Sequence, residues 1–392
     1  MNALNARRSA AIDGLRAFAA MSVVTYHAWL YTRSPVSVAN RATPADKMLH
    51  ELRLGLVLFF VLSGFLLYQP WVRSALDGAR APRLQDYLVR RAARILPAYY
   101  LAVAGSIALL WSLGDAPGVR LPPASGLWTF FVFGQNFSDA TLLKLDPPLW
   151  TLAVEVSFYL VLPALGWLAL RVRHSGRAGQ LAVPLAFLLF SFAYNHAIDG
   201  GAANWPTKVL PAMAQYFAIG MLAAVLVQGR TIGRRMTWAL LAGGALLVIG
   251  DAWWAADAAT RGSHGTLLHV IRDAPGAVGF ACIVGSAART TCPPRVLAAR
   301  PVAWTGHISY GVYLWHVPLL VFLRAHGALP LSVVGALVVI VPLTFAIATA
   351  SWYGIERPLQ ERARRATRRG STRQVRAAPG AGAPAPSTGH AG

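Results

Sequence analysis

The sequence predicts an all-α fold: a polytopic membrane protein with about ten transmembrane helices plus one short re-entrant or interfacial segment. Three observations carry that expectation. Of 392 residues, 56% are hydrophobic and only 13% charged, whereas a soluble globular chain carries about a quarter charged residues. The mean hydropathy is +0.47. The apolar residues are gathered into runs of about 17–25, the length that crosses hydrocarbon as a helix. The net charge of +21 would suggest nucleic acid in a soluble chain. Here the basic residues sit between apolar runs, as cytoplasmic loops do under the positive-inside rule, so no nucleic-acid partner is expected.

Taken in order, the expected spans are 12–31, 54–72, 95–113, 150–170, 181–198, 208–228, 236–256, 266–289, 302–323 and 331–353. Residues 126–137 form a run too short to cross. Counting it as a span would move Arg171, Arg173 and Arg177 to the outer side, against the Lys/Arg bias. Ten spans with both termini cytoplasmic keep Arg7, Arg8, the cluster from Arg73 to Arg94, Arg230, Arg234, Arg235, Arg289, Arg295, Arg300 and the basic tail on one side. The domain expectation is a cytoplasmic N-terminus at 1–11, one transmembrane domain at 12–359, and a tail at 360–392. That tail is basic at first and then rich in Ala, Pro and Gly, a composition that does not bury a core. No cleavable signal peptide is visible, no internal repeat stands out, and Cys282 and Cys292 lack metal-ligand or disulfide spacing.

The first span carries Asp13, Arg16 and His27. An ionisable group in hydrocarbon costs about 2.5–3.5 kcal/mol on insertion scales, so it faces a bundle interior, a cavity or a substrate path. Eleven steps at ~100° return His27 to within ~20° of Arg16 on the helix face, and at 1.5 Å per residue they stand ~16 Å apart. Two readings stay open on spacing alone: a working pair, or a snorkelling Arg with a His bonded to a neighbouring helix. In the second span, Ser63 and Gly64 interrupt an aromatic and aliphatic helix, a small pair that suits close helix packing.

Arg90, Arg91 and Arg94 crowd before the third span. Arg90 and Arg94 lie one turn apart, where like charges repel unless an anion sits between them. Guanidinium forks match phosphate oxygens; an ordinary topology signal is the alternative. Glu155 lies inside the fourth span with Thr151 and Tyr159 one turn to either side. In the ninth span Ser309, Tyr313 and His316 form one polar stripe. The tenth ends at Glu356 and Arg357, expected as a local ion pair at the cytoplasmic surface.

These segments together resemble the membrane-bound acyltransferase 3 family. The matching pieces are DGLRA with Arg16 and His27 beyond it, FFVLSGFLL, RRAARILPAYY, LWTLAVEVSFYLVLP, SYGVYLWHVPL and IERPL, running from Ile12 to about Leu359. The resemblance implies an acyltransferase that moves an acyl group, often acetyl from acetyl-CoA, to a hydroxyl on a sugar or glycosylated product. It implies that Arg16 and His27 are essential and that Arg90, Arg91 and Arg94 serve the CoA donor. The family's stretch after the glutamate usually has a second acidic residue and a glutamine, where Val156 and Ser157 stand here. Some relatives append a soluble hydrolase-like domain, which is not expected here.

The expected site is therefore His27, Arg16, Glu155, Tyr313 and His316 for catalysis, with Arg90, Arg91, Arg94 and Arg16 on acyl-CoA. No metal and no permanently bound cofactor is expected. His27 is the obvious base on the first helix, and such a base accelerates a reaction by ~10²–10⁴. Glu155, or Tyr313 with His316, would orient it or bond the thioester oxygen; an acyl-histidine intermediate also stays open. Envelope polysaccharide and a secreted macrolide-type metabolite are both candidate acceptors. The rival from another class is a transporter that uses intramembrane His, Glu and Arg, although no paired broken helices mark an inverted repeat.

Overall fold

The computed structural model describes residues 3–33, 43–116, 118–199, 201–261, 270–271 and 273–377. These form helices α1 (Ala3–Thr32), α2 (Pro44–Glu51), α3 (Gly55–Asp77), α4 (Leu84–Leu110), α5 (Trp128–Phe131), α6 (Leu149–Arg171), α7 (Gly176–Ala197), α8 (Leu210–Val227), α9 (Arg234–Arg261), α10 (Ala274–Arg289), α11 (Arg300–Ala325), α12 (Val333–Ser351) and α13 (Arg357–Ala377). Among the described residues the one β-type pairing is an isolated bridge between Ile232 and Thr290. The all-α, membrane-spanning expectation holds.

Eight of these helical segments are long and apolar enough to cross a bilayer, two fewer than the ten expected spans. On α1 the polar residues Asp13, Arg16 and His27 dilute the hydropathy; of the expected span 266–289, residues 266–269 and 272 lie outside the described residues, and α10 covers Ala274–Arg289. The short run at 126–137 indeed does not cross. It folds as the four-residue α5 between two 3₁₀ turns. Buried backbone outside a long helix needs partners elsewhere in the protein. Here Tyr99 donates to Phe130 O at 2.7 Å, and Asn136 donates to Trp150 O and Lys208 O at 2.7 and 2.6 Å.

Helices α1, α3, α8 and α11 make the centre. α1 lies along α11 and α3 along α8, with α6 and α4 closing the sides. The apolar stretch of α8 is 78% buried and that of α11 72%, against 22% for those of α9 and α12. The latter two face the surroundings with Trp253, Leu246, Val334 and Val338 exposed. Without a hydrophobic drive between helices in lipid, close backbone approach supplies the packing. Gly306 of α11 sits where any Cβ would strike the Asp13 carbonyl of α1, and Gly64 of α3 likewise abuts the Phe217 carbonyl of α8. The small pair read in the second span thus serves packing at Gly64, while Ser63 has another role.

At the far end, Glu356 and Arg357 do not form the expected pair. Neighbouring residues point about 100° apart on a helix and do not face each other. Glu356 is buried and accepts from Ser351 at 3.0 Å, while Arg357 pairs with Glu361 at 3.0 Å. The basic segment that follows is helical to Ala377; the Ala/Pro/Gly-rich part of the expected tail lies outside the described residues.

Candidate active site

The site is strung along α1. Near its N-terminal half Arg16 is held by Asp13, three residues earlier, at 2.6 Å. Asp13 is itself buried at the crossing with α11. Arg16 lines a narrow cavity of about 80 Å³ together with Ser63, Arg91, Arg94, Glu155 and Tyr159. Three guanidinium groups therefore converge on one slot. The Glu155 carboxylate is already engaged, accepting from Ser63 Oγ at 2.7 Å and Tyr159 OH at 2.6 Å. The Arg91 guanidinium carbon stands 5.8 Å from the Tyr159 ring centroid, and its buried Nε lacks a hydrogen-bond partner. Three cations against two carboxylates, Glu155 and the Asp13 that holds Arg16, leave the slot with an excess of positive charge, which an incoming anion would offset.

Arg90 does not join them. It is exposed, its Nε donating to the Asp86 carbonyl at 3.0 Å on its own helix. The expected pairing of Arg90 with Arg94 is replaced by Arg91 with Arg94, three residues apart and equally on one face.

Near the C-terminal half of α1, His27 lines a second cavity of about 900 Å³. This one opens among residues at the other end of α1: Tyr26, Tyr31 and Arg33 follow or flank His27, and Arg53, Trp150, Tyr216 and Arg324 face them. Leu56, Phe60, Thr151 and Tyr313 line both cavities, so the two meet at a shared wall. In that wall the Thr151 and Tyr313 hydroxyls lie 2.7 Å apart, and each reaches the Pro148 carbonyl, at 3.0 and 3.2 Å.

His27 and His316 touch across the α1–α11 contact, with His316 Nε2 3.0 Å from His27 Nδ1. Their protonation follows from the network. His316 Nδ1 lies 2.8 Å from Tyr313 O and 3.2 Å from Val312 O. Carbonyls only accept, so Nδ1 carries the proton and Nε2 presents a lone pair. That lone pair accepts from His27 Nδ1–H, which also lies 3.0 Å from the Val23 carbonyl. Both ring nitrogens of His316 are thereby used, and His27 is left with a lone pair on Nε2, which has no partner among the described residues. His316 orients the neutral imidazole in the manner of a base with a third group behind it. The histidine is fully buried.

Of the sequence-predicted residues, Arg16, Arg91, Arg94, Glu155 and Tyr313 therefore lie around the slot, His27 and Tyr313 on the chamber, and His316 behind His27. Glu155 bonds Ser63 and Tyr159 rather than an imidazole. Sequence reasoning missed Asp146. Its two carboxyl oxygens are buried with no hydrogen-bond partner, and burial lifts it well above the usual carboxylate range. It follows Leu143 and Leu145, both at left-handed φ (56° and 60°), in a loop without periodicity. The lone signal was a carboxylate just ahead of a span. Among the described residues no cluster of three His, Cys, Asp or Glu side chains is arranged to hold a metal.

Comparison with known proteins agrees with the geometry. A family model described as an acyltransferase domain matches residues 9–353. Nodulation protein 10 of Rhizobium leguminosarum bv. viciae is 28% identical over 373 residues, covering 88% of this chain and 92% of that protein. The exopolysaccharide production protein ExoZ of Rhizobium meliloti is 26% identical over 332 residues, covering 82% and 94%. The peptidoglycan O-acetyltransferase OatA of Listeria monocytogenes is 24% identical over 382 residues, covering 89% of this chain and 55% of OatA, so the chain spans about half the length of that relative. No solved structure matches. None of these relatives is named as a transporter. With the match extending from the first span to the last, the chain belongs to the acyltransferase 3 family and is a multi-pass membrane acyltransferase.

Proposed function

We propose that this protein transfers an acetyl group from acetyl-CoA to a hydroxyl of a cell-envelope carbohydrate, with His27 as the base. The observation that carries this reading is that His27, backed by His316, lines a wide chamber that shares the Thr151 and Tyr313 wall with a slot less than a tenth its size, lined by guanidinium groups. The narrow slot suits a thin thioester tail whose phosphates remain on Arg16, Arg91 and Arg94. The wide chamber suits a bulky acceptor.

The step balances without any further reactant. His27 Nε2 takes the acceptor's proton as its oxygen adds to the thioester carbonyl. The new C–O bond forms, the C–S bond breaks, and the imidazolium returns its proton to the departing thiolate, so CoA leaves as the free thiol. His316, accepting from Nδ1–H, stabilises the charge gained by His27. The Thr151 and Tyr313 hydroxyls border both cavities, which supports their bonding the thioester oxygen as charge gathers on it.

Donor and acceptor then enter from opposite membrane faces, the donor from the arginine-rich, cytoplasmic side where both termini lie. Envelope polysaccharide is favoured over a macrolide-type metabolite because the names of OatA and ExoZ point to peptidoglycan and exopolysaccharide. Mass spectrometry of envelope glycans from cells with the gene, without it, and with His27→Ala tests the proposal. An acetyl increment present in the first and lost from the other two is expected; an increment that survives His27→Ala contradicts the base assignment.

A further inference from the structure

The wide chamber has an unusual charge for the face it opens on. The side away from the arginine cluster carries few basic residues, as the Lys/Arg bias requires, yet five of them line this one cavity: Arg33, Arg53, Arg120, Lys208 and Arg324. Two are neutralised within the protein. Arg33 pairs with Asp46 at 2.6 Å, and Arg53 forks onto Asp273 and Glu51, each at 2.7 Å. Lys208 stands 4.9 Å from the centroid of the Trp150 ring.

Arg120 and Arg324 are different. No described carboxylate pairs with either. Arg120 is exposed to the chamber. Arg324 spends one nitrogen on the Tyr31 carbonyl, which fixes its stem and leaves most of its fork available. Asp146 forms no ion pair with either: both its carboxyl oxygens are buried without a hydrogen-bond partner, and burial pushes its pKa well above the usual carboxylate range, which favours the uncharged form. Two uncompensated forks therefore border the chamber that also holds the free nitrogen of His27, and Tyr26, Trp150 and Tyr216 supply aromatic faces in the same wall.

We propose that the chamber takes an anionic glycan, with a carboxylate or phosphate of the acceptor held by Arg120 and Arg324 while a neighbouring hydroxyl reaches His27. This rests on the acyl-transfer reading for the identity of the cavity as the acceptor site. It adds the chemical class of that acceptor. A neutral sugar would leave two guanidinium groups facing it without a partner, and a planar fork on a carboxylate or phosphate is the geometry arginine suits best. A carboxylate on the sugar itself and a phosphate through which a sugar is carried share this chemistry.

The test is equilibrium binding to the full chain in phosphatidylcholine vesicles, read for two matched pairs: a uronate tetrasaccharide and its carboxyl methyl ester, and glucose 1-phosphate and glucose. The anionic member of at least one pair is expected to bind about tenfold tighter or more, as the loss of a charge-assisted fork implies. Which pair shows it names the source of the anion. Arg120→Gln, which removes no side-chain hydrogen bond or ion pair among the described residues, is expected to abolish most of that preference, and Arg324→Gln to do the same. Equal binding within both pairs, binding of none of the four, or a preference that survives Arg120→Gln overturns the proposal. Acetyl transfer in the same vesicles separates the two ideas. Transfer without any charge preference removes the anionic acceptor and leaves the acyl-transfer reading standing. A charge preference without transfer does the reverse.

Discussion

The slot around Arg16 and the chamber around His27 lie on one helix, separated by eleven residues, and differ in size by more than tenfold. The slot is small, its carboxylate tied up by two hydroxyl donors, its three cations crowded together. The chamber is wide and aromatic, with Arg33 and Arg53 paired to carboxylates and Arg120 and Arg324 not. The contrast teaches that a single long helix can border two cavities of unlike size and charge, Arg16 lining one and His27 the other. Charge placed in a membrane helix is costly; on α1, Arg16 and His27 each line a cavity, and Asp13 is paired with Arg16.

The largest effect that would break this comparison comes at the boundary. His27→Ala should lower the rate of acyl transfer by ~10²–10⁴ while helix content by circular dichroism stays the same. Transfer at the wild-type rate would leave the chamber without its base. Next in size is His316, a positioning residue. His316→Ala should lower kcat about tenfold or more with the donor KM unchanged, and His316→Gln should recover part of it, since a carbonyl oxygen can accept from His27 Nδ1–H as Nε2 does. A purely space-filling role predicts no difference between the two.

The arginines sharpen the other half of the contrast. Arg91→Gln and Arg94→Gln should each raise the KM for acetyl-CoA about tenfold with little change in kcat, whereas Arg90→Gln, on the outer face of α4, should change it little. An equal effect of all three would make the cluster a general electrostatic field rather than a lining of the slot.

The smallest effect concerns stability. Burial raises the pKa of Asp146 in the folded chain above its unfolded value. Between those two values the unfolded chain binds fewer protons, and stability falls as pH rises through that window. Asp146→Asn, a mimic of the neutral form, should therefore raise Tm by a few degrees near neutral pH and flatten its decline with pH. A Tm that instead falls in step with activity would give the carboxyl a working role.

Much of this architecture was legible along the chain because hydropathy is a one-dimensional signal. Span lengths, the failure of residues 126–137 to cross, and the alignment of Arg16 with His27 all follow from counting at helical period. What was not legible depends on rotation about helix axes. Ser309, Tyr313 and His316 read as one stripe, yet Tyr313 turns to Thr151 and His316 to His27, 289 positions away. Arg90 and Arg94 read as partners, yet the roll of α4 against its neighbours brings in Arg91. Packing sets that roll, through approaches as local as Gly306 on Asp13. Arg120 and Asp146 lie in connections, where no period says which way a side chain points.

The central claim is that two substrates meet at His27 from opposite faces. Vesicles in which the protein is inserted in one known orientation test it directly, with acetyl-CoA and the acceptor supplied separately to either side. Acetyl transfer is predicted when the donor is on the side of Arg91 and Arg94 and the acceptor on the side of Arg120 and Arg324, and in no other arrangement. Equal transfer with both substrates confined to the arginine-cluster side would contradict it.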